Sequence, residues 1–397
     1  MPMKRAFPLA ALLAVTALAG CAHKPVAPKP VAATPAPAHP NPGEIVSRAP
    51  LATTLPGVAE RIIYRMTDAL HPDRVTTVSG VLLTPEGPPP EGGWPVVSWA
   101  HGTTGLSYVC APSVTGIDHG PYAPYLTNWL RHGFAVVATD YPGMGGPGPD
   151  LYLNARAEGM SVLDAARAVT AVDSRLSQNV IIAGHSQGAH AAIAAAALAP
   201  TYAPDVHVRA TIAVGTPYFN AATTRALLAP ATGAAATHFA PKLVYMLLMG
   251  ASLGEADPGF DPDKVFTPRA MAFYKQATQL CIGNFYGAVQ KSGLTPGNAL
   301  QANGAVALKP VLDWSAFPDL HLTAPLFLAT GGDDTQVAPA MQHMLVHDVC
   351  AAGTSVVARD YRGQSHMGSL YAAMGETTAF AQNVLRGQAP ATTCPAK

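Results

Sequence analysis

Gly184-His185-Ser186-Gln187-Gly188 constrains the fold of this chain more than any other stretch. The apolar run 179–183 before it reads as a buried strand. The alanine-rich run 189–198 after it predicts a helix that Pro200 stops. A strand turning sharply into a helix holds one residue in a strained conformation with its side chain raised above the sheet. Such a tight crossing tolerates only glycine on either side. Ser186 in that setting is a nucleophile elbow.

Other short apolar runs extend the pattern. Residues 76–83, 95–100, 134–139, 208–214, 325–330 and 355–360 read as strands, separated by intervals long enough for helices. Alternation of this kind predicts an α/β chain with a mostly parallel sheet and helices on both faces. One interval, 217–324, is too long for a connection. Runs 241–250 and 268–280 inside it read as helical, so the interval reads as an inserted helical cap.

A serine hydroxyl attacks only when a base takes its proton, and the base needs a carboxylate to fix its tautomer. The partners are expected in chain order, each past the C-terminal end of a strand. After the strand 325–330 comes Gly331-Gly332-Asp333-Asp334-Thr335-Gln336-Val337, and after 355–360 comes Gly363-Gln364-Ser365-His366-Met367-Gly368. The expected triad is therefore Ser186, Asp334 and His366. Asp334 is preferred to Asp333 because Asp334, Val337 and Pro339 match an Asp-x-x-Val pattern ahead of a proline. Asp333 reads as a turn former. The oxyanion formed on attack needs preorganised N–H donors. One is expected from the backbone of Gln187, and the second from Thr103 in His101-Gly102-Thr103-Thr104-Gly105. His101 reads as a hydrogen-bonded loop residue, and Asp140-Tyr141-Pro142-Gly143 as a wall near the site.

Composition excludes several alternatives. The 24 Lys and Arg balance 24 Asp and Glu, with no basic run beyond the N-terminus, which argues against a nucleic-acid partner. Fourteen histidines include no H-E-x-x-H, and His343 and His347, four apart on an expected helix, lack a third ligand. No metal and no cofactor are expected.

The N-terminus reads as a targeting segment, residues 1–21. Lys4 and Arg5 precede an apolar run that ends in Leu18-Ala19-Gly20-Cys21 and is too short to span a membrane. Small residues before that cysteine resemble the lipobox of bacterial lipoproteins. The resemblance implies cleavage before Cys21 and a lipid anchor on it; an ordinary signal peptide would instead give a secreted protein. Residues 22–43, nearly all Ala, Pro, Val, Lys and His, read as a semi-extended tether ahead of a domain spanning 44–397. Cys110, Cys281, Cys350 and Cys394 form an even set suited to an oxidising compartment, with three possible connectivities.

From about residue 50 onward the chain resembles the secretory lipase family of α/β hydrolases. The resemblance rests on the 101–105 and 140–143 motifs, the elbow, the Asp334 loop and His366. It implies an α/β-hydrolase fold with a helical cap, hydrolysis of carboxylic esters, lipid esters foremost, and the pairings Cys110–Cys281 and Cys350–Cys394. A short-chain carboxylesterase, another acyl hydrolase on the same triad, or a non-catalytic cell-surface binding protein are the alternatives. Acyl length, alcohol moiety and oligomeric state stay open.

Overall fold

The computed structural model describes residues 41–395. The leader, Cys21 and residues 22–40 of the expected tether lie outside the described residues. The strands are β1 (Ile45–Leu51), β2 (Val58–Thr67), β3 (Val75–Thr84), β4 (Trp94–Ala100), β5 (Ala135–Thr139), β6 (Leu176–His185), β7 (His207–Val214), β8 (Leu326–Gly331) and β9 (Val356–Tyr361). They form one sheet in the order β1-β2-β3-β5-β4-β6-β7-β8-β9. From β5 to β9 all neighbours are parallel, while β1, β2 and β3 join as an antiparallel edge. The sequence reading does not contain β1 and β2. Glu60, Arg61 and Arg65 interrupt β2, where only Ala59, Ile62, Tyr64 and Met66 are buried, so no apolar run marks it. The inner strands are different: β5 is buried throughout, as both-face coverage of a parallel sheet demands.

Helices Ala155–Thr170 and Gln187–Tyr202 pack on one face through Met160, Leu163, Ala191 and Ala195. Helices Ala123–Arg131 and His366–Leu385 cover the other through Leu126, Trp129, Leu370 and Phe380. Each leucine, methionine or phenylalanine among these contributes about 1.5–3 kcal/mol when fully buried. Pro200 does not stop the elbow helix but lies inside it. Only its last turn follows, so the missing N–H removes one backbone bond, and Ala203 N still donates to Ala199 O at 3.0 Å.

Between β7 and β8 the chain forms helices Ala221–Leu228, Ala234–Thr237, Pro241–Ala256, Pro268–Gln276, Ile282–Lys291, Pro296–Ala299 and Lys309–Trp314. They share their own apolar centre around Leu247, Phe266 and Phe285, which Leu106 and Tyr152 also enter. Disulfides join Cys110 to Cys281 and Cys350 to Cys394, the two pairings the resemblance implies. The first fastens the segment after β4 to the start of helix Ile282–Lys291.

Candidate active site

The strand order turns back on itself around β4 and β6, and open parallel sheets bind ligands beyond the carboxyl ends of strands at such a point. Thr103, Ser186, Asp334 and His366 follow the C-terminal ends of β4, β6, β8 and β9. Ser186 has φ 57° and ψ −122°, a left-handed backbone that few non-glycine residues adopt. Its N–H donates to Val214 O at 2.9 Å, and its own carbonyl accepts from His190 N at 3.1 Å. A Cβ on Gly184 would lie 2.0 Å from Gly188 O, and one on Gly188 would lie 1.9 Å from Ala100 O. Both elbow glycines are thus required by close backbone approach.

His366 opens the helix His366–Leu385 and is buried. Its Nδ1 lies 2.6 Å from Asp334 Oδ2. Asp334 cannot swing away: Oδ1 accepts from the N–H groups of Gln336 and Val337, both at 2.9 Å. Oδ2 also accepts from Gln342 Nε2 at 3.0 Å. Asp333 is exposed, with only its backbone N–H engaged, to Gln364 O at 3.0 Å. With Nδ1–H directed at the carboxylate, Nε2 carries the lone pair, and it has no hydrogen-bond partner among the described residues. Ser186 and His366 line one cavity, which puts the imidazole on the serine's side.

His185, the residue before Ser186, braces this imidazole. Its ring lies 4.5 Å from that of His366. Its Nε2–H donates to His366 O at 3.1 Å, while Nδ1 meets Tyr122 OH at 3.2 Å. Burial, then the neighbouring His366, push the His185 pKa down to about 3, so it stays neutral. Gln187 is buried at the first position of the elbow helix, where backbone N–H groups and the helix dipole favour negative charge. Thr103 Oγ1 lies 2.8 Å from Tyr152 OH. Tyr141, at φ 67°, donates its hydroxyl to His101 O at 2.8 Å and so anchors the loop leading to Thr103. His101 is buried, its Nδ1–H donating to Gly102 O at 2.8 Å, and burial lowers its pKa.

Two cavities meet at Ser186. One, about 520 Å³, runs under the inserted helices past Phe219, Ala226, Met246, Met249 and Met341. The other, about 330 Å³, is bounded by Trp99, Thr103, Tyr122, His185 and His366. Tyr245 and Gln336 line both, and the Tyr245 hydroxyl donates to Gln336 Oε1 as a bar between them. The sequence reading holds Gln336 and Tyr245 only as members of the Asp334 loop and of the cap run 241–250, and it omits Gln342 and Tyr152, because isolated polar residues in helices and loops carry no spacing signal. His343 and His347 are exposed and pair with Asp360 and Asp348. Among the described residues no group of three or more His, Cys, Asp or Glu could hold a metal ion.

Sheet topology, elbow and the order of the following residues define an α/β-hydrolase fold. The secretory lipase family model matches residues 123–236, so the resemblance read from the motifs is met over that segment. Lipase A of Moesziomyces aphidis is 33% identical over 119 residues, 27% of this chain and 25% of that protein. The match thus spans a quarter of the relative's length. In fold the chain is similar to Candida antarctica lipase A in its closed state, with TM-score 0.73, 19% identity, and coverage of 89% of this chain and 85% of that one. It is also similar to the rice cell wall degrading esterase LipA from Xanthomonas oryzae, with TM-score 0.69, 17% identity, and coverage of 88% and 100%.

Proposed function

We propose that the protein is a serine hydrolase of carboxylic esters with Ser186 as nucleophile, His366 as base and Asp334 as its orienting acid. The reading is carried by one observation: a buried imidazole, held by a pinned carboxylate, keeps an unpartnered Nε2 in the cavity that a strained serine lines. In acylation Ser186 Oγ bonds to the ester carbonyl carbon while its proton passes to His366 Nε2. The carbonyl electrons move to oxygen, which the N–H groups of Gln187 and Thr103 receive. The carbonyl then reforms, the C–O bond to the alcohol breaks, and His366 returns the proton to the leaving oxygen. Water repeats the sequence and releases the acid.

This proton delivery assigns the two cavities. The leaving oxygen must face His366, which lines the smaller cavity and not the larger. The alcohol therefore occupies the 330 Å³ space and the acyl chain the 520 Å³ space, both of the size small-molecule sites have. The larger lining is apolar, and each methylene buried there contributes about 0.8 kcal/mol, or roughly fourfold in kcat/KM. On a panel of 4-nitrophenyl esters, kcat/KM is expected to rise through C8. Ala226→Phe, filling the larger cavity, should move the optimum to shorter chains. A wild-type optimum at C2 to C4 would make the protein a short-chain esterase, and no hydrolysis of any ester would refute the class. The two disulfides support an exported protein.

A further inference from the structure

We propose that Glu158 is a positioning residue that holds both sides of the oxyanion site; the proposal rests on the roles given above to Ser186, Gln187 and Thr103. Glu158 is only 1% exposed, in the first turn of helix Ala155–Thr170, and lines neither cavity at Ser186. Its Oε1 accepts from Gln187 Nε2 at 2.8 Å and from Leu153 N at 2.8 Å. The first bond clamps the side chain of the residue whose backbone N–H is one donor. The second holds Leu153 at φ 58°, a conformation unfavourable for leucine that persists only where its surroundings enforce it. Tyr152 precedes it, and its hydroxyl meets Thr103 Oγ1 at 2.8 Å. One carboxylate oxygen thus grips the first donor residue directly and the second through Leu153 and Tyr152.

The other carboxylate oxygen faces a histidine. Glu158 Oε2 lies 3.4 Å from His190 Nδ1, and His190 Nε2 lies 2.8 Å from Ser315 O. A carbonyl only accepts, so Nε2 bears hydrogen. His190, itself anchored to Ser315, thus backs the second carboxylate oxygen while the first holds Gln187 and Leu153.

Glutamine can reproduce the whole arrangement. Its amide oxygen would take the two donors now at Oε1, and its amide N–H would donate to Nδ1 of a neutral His190. Steady-state kinetics with a 4-nitrophenyl ester, inhibition by an aryl boronic acid that forms a tetrahedral adduct on serine, and thermal unfolding would be measured together. For Glu158→Ala, kcat should fall about 10- to 100-fold with KM within about threefold, since small misplacements near the chemistry cost that much. Boronic acid affinity should fall in parallel. Glu158→Gln should stay within about threefold of wild type on both readouts, and Tyr152→Phe should lower kcat several-fold but add less than that in the Glu158→Ala background. An unchanged kcat with only a lowered Tm, a loss carried by KM, or a Glu158→Gln enzyme as poor as Glu158→Ala would overturn the proposal. Should Glu158→Ala not fold, Glu158→Gln and Tyr152→Phe decide: a crippled glutamine variant, or a Tyr152→Phe enzyme with wild-type kcat, overturns it. A wild type inert to ester and boronic acid alike would instead refute the underlying hydrolase reading.

Discussion

Replacing Ser186 by alanine is expected to lower ester hydrolysis on the order of 10⁴-fold or more while leaving the protein folded. Alanine removes the one oxygen that can bond to the carbonyl carbon, and the remaining oxyanion donors and binding cavities supply only the residual rate. Folding should survive because no hydrogen bond among the described residues uses that hydroxyl: Ser186 is held by its backbone bonds to Val214 and His190. The change leaves the local backbone strain as it is, since φ 57° suits neither residue. A fluorophosphonate probe should label the wild type and not the variant. More than a tenth of wild-type activity in a folded Ser186→Ala protein would sink the assignment.

Asp334→Asn should cost on the order of 10³ to 10⁴ in turnover, and Asp333→Asn far less. The direction follows from the hydrogen bonds around the carboxylate. Oδ1 receives two backbone N–H groups, so an asparagine must keep its oxygen there. Its NH2 would then occupy the Oδ2 position, facing Gln342 Nε2 and His366 Nδ1. His366 could accept that donor only through an Nδ1 lone pair, which moves its hydrogen to Nε2. The imidazole would then present an N–H to Ser186 and could not take its proton. Asp333, exposed and without a contact to His366, offers no such route. Equal or reversed losses, measured as kcat of the two folded variants, would reverse the choice of acid.

What could be read in advance and what could not divide along physical lines. The elbow announces itself because a strained turn between a strand and a helix forces two glycines and an apolar run into adjacent positions. Asp334 follows a fully buried parallel strand, whereas the strand ahead of His366 is marked only by its apolar start at Val356 and Val357, before the exposed Arg359 and Asp360. Glu158 is the opposite case. An acidic residue in the first turn of a helix ordinarily faces water and favours the helix dipole, and only the packing of Gln187, Leu153 and His190 around it reveals a buried hub. Tyr245 and Gln336 are 91 residues apart and meet only because the inserted helices fold back over β8. Pro200 shows that a proline near a helix end costs one bond, not necessarily the last turn.

The Cys110–Cys281 link has a mechanical consequence for any opening of the inserted helices. Beside the covalent tie, Ile282 N donates to Thr104 O at 2.8 Å, so two fastenings meet at one corner of the site. A structure pinned at a corner can pivot there but cannot lift clear. Any opening for substrate must therefore come from parts of the inserted helices away from this corner, while the segment next to Thr103 keeps its spacing through each cycle.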